Sequence, residues 1–149
     1  MSNSIKYSST RGGESSLSYE DVLLSGLARD GGLFMPEEWP QFSHSDLNEM
    51  KHLNYAELSA KIIRPFVEPC LSENELLNIS KDTYSVFNKD VAPLYQLNKN
   101  LHVLELFHGP TLAFKDYAMQ FLARAFNQAL NKRAQKGVIL GATSGDTGS

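Results

Sequence analysis

Two textures divide the chain. From about Ser18 to Phe87, apolar residues recur at helical spacing between short polar starts. Ser18-Tyr19-Glu20-Asp21 has the form of a capping box, and Val22, Leu23, Gly26 and Leu27 follow it on one face. Arg29-Asp30-Gly31-Gly32 is expected to stop that helix in a turn. Asn54-Tyr55-Ala56-Glu57 opens a second helix, expected to end around Arg64 because Pro65 has no N–H to donate and crowds the turn before it. Ser72-Glu73-Asn74-Glu75 opens a third, which carries Leu76, Leu77 and Ile79. Between the first two, Pro36 to Asp46 is rich in Pro, Ser, His and Asp, lacks clear periodicity and reads as a loop.

After Asp90 the pattern changes. Pro93 to Leu97 and Leu101 to Phe107 read as strands joined by the polar turn Asn98-Lys99-Asn100. Asp116 to Gln135 reads as a long helix: Gln120, Arg124, Asn127, Gln128 and Asn131 form a polar stripe, and Ala118, Phe121, Leu122, Ala125, Ala129 and Leu130 fill the rest. Lys132, Arg133 and Lys136 suit its negative C-terminal end, and Gly137 is the expected stop. Val138-Ile139-Leu140-Gly141-Ala142 then reads as a short buried strand. Strand, long helix and buried strand make a βαβ unit, so the fold class is α/β. Residues 1–90 are expected to form a helical N-terminal domain, and residues 91–149 the beginning of a parallel α/β domain. Thr143 to Ser149 should feed another helix, so the chain reads as an N-terminal fragment of something larger.

Composition narrows the function classes. With 42% hydrophobic and 21% charged residues, 149 residues can build a core. A net charge of −3 supplies no basic field for a phosphate backbone, which disfavours nucleic acid. The N-terminus lacks an apolar signal region, and no apolar run approaches the roughly 20 residues of a membrane span. The single cysteine, Cys70, gives no reason to assume an oxidising compartment, so a soluble cytoplasmic protein is expected. His44, His52, His102 and His108 lack metal-ligand spacing, and no metal is expected. Cys70 reads as a passive thiol or as one activated by the helix start after it. Arg11 and Arg29, beside glycines, read as turn arginines or as phosphate contacts.

Two segments could carry chemistry. In Glu105-Leu106-Phe107-His108-Gly109-Pro110-Thr111-Leu112-Ala113-Phe114-Lys115-Asp116, a strand end and a Gly-Pro turn lead to a lysine at a helix entrance. Partly apolar surroundings and helix-end N–H groups both disfavour an ammonium there, and a neutral amine is what condensation with an aldehyde requires. The other reading is a solvated first-turn lysine, with Asp116 capping the helix. In Gly141 to Ser149, small and hydroxyl residues after a strand let backbone N–H groups face an anion, or form an ordinary turn. This loop lacks the Gly-Lys-Ser/Thr ending of a nucleotide P-loop. One crossover apart, the two loops fall at the same edge of a parallel sheet, where an aldehyde cofactor and an amino-acid carboxylate could meet.

Phe107 to Asp116 and Ala142 to Ser149 resemble the signature segments of the threonine synthase family. Ser9-Thr10-Arg11-Gly12-Gly13 and Leu27 to Glu37 resemble that family's N-terminal domain. The resemblance implies a pyridoxal 5'-phosphate enzyme of the tryptophan-synthase-β fold type, a carbon–oxygen lyase of threonine biosynthesis. It would convert O-phospho-L-homoserine and water to L-threonine and phosphate. Residues 1–90 would be the family's N-terminal domain, and 91–149 the beginning of its cofactor-binding catalytic domain. Lys115 would form the internal aldimine and shuttle protons. Thr143, Ser144, Gly145 and Thr147 would bind the substrate carboxylate. Asp146, where relatives of this fold type often have Asn, would lie beside the cofactor ring. His108 would brace a turn or contact phosphate. The cofactor's phosphate loop and the partner of its ring nitrogen would lie beyond Ser149, so the chain alone is expected neither to hold the cofactor tightly nor to turn over. The alternatives are a related phospho-lyase releasing a keto acid, and a non-catalytic folding or interaction module.

Overall fold

The computed structural model describes residues 4–88, 90–143 and 145. The chain begins with β1 (Tyr7–Ser9), α1 (Tyr19–Ser25) and β2 (Phe34–Pro36). β1 and β2 pair antiparallel, with Tyr7 opposite Pro36 and Ser9 opposite Phe34. Ser18 caps α1 by accepting a bond from the Asp21 N–H. The helix stops at Gly26, whose φ of 73° is in the left-handed region, before the Arg29–Gly32 turn is reached.

The expected loop between Pro36 and Asp46 begins on the last residue of β2 and contains the start of a helix, α2 (His44–Met50). Ser43 and Asp46 form a full capping box there, which satisfies amides at the start of a helix too short to show a periodic apolar face. Capping boxes at Asn54 and Ser72 open α3 (Tyr55–Val67) and α4 (Glu73–Tyr84) as the sequence predicts.

α3 does not end at Arg64: it runs through Pro65 to Val67. Pro65 removes only the one bond its missing N–H would have given the Lys61 carbonyl, and Val67 beyond it is held in the core. The terminating proline is Pro69, because Glu68 before it takes an extended backbone.

β3 (Leu94–Asn98) and β4 (Leu101–Leu104) form an antiparallel hairpin, and α5 (Asp116–Lys132) follows. Fully buried Ala125 and Ala129 let α5 lie close on α4. The core combines Ala60, Val67, Leu71, Leu76, Ile79 and Ala125, with Tyr19, Leu23, Phe66 and Phe121 packed around it. Polar clasps tie the same layers. Lys132 Nζ donates to the Glu75 carboxylate at 2.8 Å and to the Cys70 carbonyl at 2.6 Å, and Arg133 pairs with both Glu20 and Asp21.

α5 ends earlier than the predicted Gln135. Gln135 N–H bonds the Leu130 carbonyl and Ala134 N–H bonds that of Asn131, a Schellman closure centred on Ala134 at φ 50°. Gly137, the expected stop, lies beyond it, with the Leu130 and Phe126 side chains filling the space a Cβ would need. The strand expected at Val138–Ala142 does not form among the described residues, where both sheets are antiparallel pairs. Val138, Ile139 and Leu140 are 96%, 81% and 97% exposed, and a strand without a neighbour has no ladder to hold it. The βαβ unit is therefore not closed by these residues. No helix among them is long and apolar enough to cross a membrane.

Candidate functional site

The entrance to α5 is built from the turn before it. The Gly109 carbonyl accepts a bond from Leu112 N–H at 3.2 Å, closing a turn around Pro110 and Thr111. Leu112 then sits at φ 63°, a left-handed position costly for a branched side chain. Two further turns follow: Asp116 N–H bonds Ala113 O at 3.0 Å, and Tyr117 N–H bonds Phe114 O at 3.4 Å. They satisfy first-turn amides before the regular helix begins. Lys115 occupies the N-cap position with helical backbone angles, and its carbonyl accepts from Ala118 and Met119.

Asp116 does not cap the helix, as one reading of the sequence has it. Its carboxylate turns back to Thr111, accepting the amide N–H at 2.9 Å and the hydroxyl at 3.0 Å, and only 4% of the residue is exposed. Gly109 leaves the room this requires: a Cβ there would fall on the Asp116 carboxylate. Tyr117 pins the other side, donating its hydroxyl to the Val91 carbonyl and packing its ring 4.8 Å from that of Phe87.

Lys115 is half-buried, with Nζ 5.8 Å from the centre of the Phe114 ring. His108 Nε2 lies 2.7 Å from a Glu105 carboxylate oxygen, and the His108 carbonyl accepts from Asn88 N–H at 3.1 Å. Thr143 and Gly145 follow the exposed apolar segment; Thr143 Oγ1 accepts from Gly145 N–H at 3.1 Å, and Gly145 adopts φ 122°. Ser144, Asp146 and Thr147 lie outside the described residues.

The two N-terminal glycine turns interlock. The Asp30 carboxylate accepts from Ser9 Oγ at 2.7 Å, Gly13 N–H at 2.8 Å and Gly32 N–H at 2.8 Å, and these bonds, the Ser9 hydroxyl first, hold it below the usual carboxylate range. Arg11 donates to the Asp30 carbonyl at 3.0 Å, and the exposed Arg29 side chain lies 3.8 Å from the Glu14 carboxylate. Burial pushes the Cys70 thiol up, opposite to what nucleophile activation needs. No group of three or more His, Cys, Asp or Glu among the described residues could hold a metal.

The sequence reading missed the Asp116–Thr111 bond and the Asp30 hub. In both, an aspartate lies a few residues from a glycine turn, and nothing in that spacing says which amides the carboxylate will choose.

These features define an α/β chain with a helical N-terminal part and a lysine fixed at the mouth of its longest helix. A family model described as the threonine synthase N terminus matches residues 6–84, more than half of the chain, and the chain belongs to that family. It is 52% identical over 146 residues to a threonine synthase of Pseudomonas aeruginosa, covering 97% of this chain and 31% of that protein. It is 42% identical over 154 residues to that of Methylobacillus glycogenes, covering 97% and 32%. A solved structure of a PLP-bound threonine synthase from Brucella melitensis superposes with a TM-score of 0.93 at 46% identity, covering 97% of this chain and 32% of that one. The chain thus spans about a third of the length of the curated relatives it matches.

Proposed function

We propose that this chain is the N-terminal part of a cytoplasmic threonine synthase, a carbon–oxygen lyase that turns O-phospho-L-homoserine and water into L-threonine and phosphate. The observation that carries the proposal is a primary amine on a fixed backbone, Lys115 at the entrance of α5, within a chain so similar to threonine synthases.

The donor chemistry fits pyridoxal 5'-phosphate: the Lys115 amine can hold the cofactor's aldehyde covalently, and the adjoining Phe114 ring offers an apolar wall. When bound, the cofactor supplies an electron sink for carbanion chemistry. Lys115 carries the proton between substrate carbons. Thr143, Ser144, Gly145 and Thr147 would offer backbone N–H and hydroxyl groups to the substrate carboxylate, and Asp146 would help hold the cofactor. In this reading residues 1–90 are the family's N-terminal domain and residues 91–149 open its catalytic domain.

Product analysis on the full-length protein tests the proposal. Threonine and phosphate in equal amounts support it. Phosphate with 2-oxobutanoate instead identifies a phospho-lyase and overturns the synthase reading.

A further inference from the structure

We propose that Asp116 positions the Lys115 amine, a role that rests on the reading of Lys115 given above. A carboxylate in the first helical turn gains from the helix dipole while remaining in water, and burial costs it hydration. Asp116 is nonetheless buried, and both its oxygens are engaged by one residue: Oδ2 by the Thr111 amide and Oδ1 by the Thr111 hydroxyl. The contact spans the turn that delivers the chain to Lys115. On its helical side, Lys115 is fixed through its carbonyl by Ala118 and Met119. On its loop side lies Leu112 in a left-handed conformation, between a turn closed on Gly109 and the residues that Asp116 ties back to Thr111.

A lysine side chain has four torsions of its own, so the amine can be placed only if the backbone beneath it is fixed. Asp116 supplies that fixation. Gly109 is the matching concession, because any side chain there would occupy the space of the carboxylate.

The test uses Asp116→Ala, Asp116→Asn and Thr111→Val in the full-length protein. Asparagine keeps an acceptor for the Thr111 amide and a donor for its hydroxyl; alanine keeps neither. Amide exchange at Thr111 is followed without cofactor, and pyridoxal phosphate trapped on Lys115 by borohydride is quantified by peptide mapping. Asp116→Ala is expected to speed Thr111 exchange and to cut the label on Lys115, each by about tenfold or more, with Asp116→Asn staying within about twofold of the parent. Should Asp116→Ala fail to fold, Thr111→Val, which spares the amide bond, must show an intermediate loss of label. Undiminished labelling in Asp116→Ala, or loss in Asp116→Asn as deep as in alanine, overturns the proposal. If the parent protein carries no label on Lys115 while the exchange pattern holds, the reading of Lys115 has failed and the role falls with it. If the exchange pattern itself is absent, the clamp is what failed.

Discussion

Asp116 and Thr111 are joined twice across five residues, through the amide at 2.9 Å and the hydroxyl at 3.0 Å, with Gly109 directly beneath the carboxylate. A methyl group at position 109 must displace this pair or be displaced by it. Gly109→Ala is therefore expected to destabilise the fold by about 1–3 kcal/mol, the usual range for forcing extra carbon into filled space. Chemical denaturation of parent and variant measures it, and an unchanged midpoint would contradict the packing described.

Glu75 is the acidic hub between α4 and α5. It accepts from Lys132 at 2.8 Å, Gln128 at 2.8 Å and Ser72, and these bonds, Lys132 first, push its carboxyl down to about 2. A pKa depressed in the folded state contributes stability that is fully present above the ordinary carboxylate range and is lost as pH falls toward 2. Glu75→Gln is expected to flatten the dependence of stability on pH between about 5 and about 2. Thermal melts across that window check it; an unchanged slope would remove Glu75 from the account.

Ala134 occupies the left-handed position of the Schellman closure after α5, at φ 50°. Glycine takes that conformation without steric cost. Ala134→Gly is expected to stabilise the chain by about 0.5–1 kcal/mol, against the usual penalty for glycine near a helix. A lower melting temperature in the variant would mean the closure is not formed in solution.

Much of this architecture is legible in the sequence because it is local. Capping boxes at Asn54 and Ser72 declare α3 and α4, and Asn98 to Asn100 declares the hairpin. The sequence misleads where a local rule meets a non-local competitor. Pro65 was tolerated because burial of Val67 holds the last turn of α3. Val138 to Leu140 is apolar enough for a strand, yet strand formation is decided by a neighbour's hydrogen bonds. Lys115 stood out because a lysine between aromatic residues after a Gly-Pro turn is unusual chemistry; its support from Asp116 did not, since that depends on where a carboxylate turns in space.

The hairpin exposes Leu94, Tyr95, Leu97, Leu101 and Leu104, and Val138 to Leu140 add a further apolar surface. Exposed apolar area of this extent drives association in water. The isolated chain is expected to self-associate, with light scattering showing mass growing with concentration. A monodisperse monomer whose mass does not change with concentration would contradict this.

The side-chain nitrogen of residue 115 is the group on which the proposed chemistry depends, and borohydride trapping reads it most directly. The full-length protein is reconstituted with pyridoxal 5'-phosphate, reduced and digested, and the pyridoxyl group is located by mass spectrometry. The predicted result is one stoichiometric adduct on Lys115. An adduct on another lysine, or none at all, would contradict it.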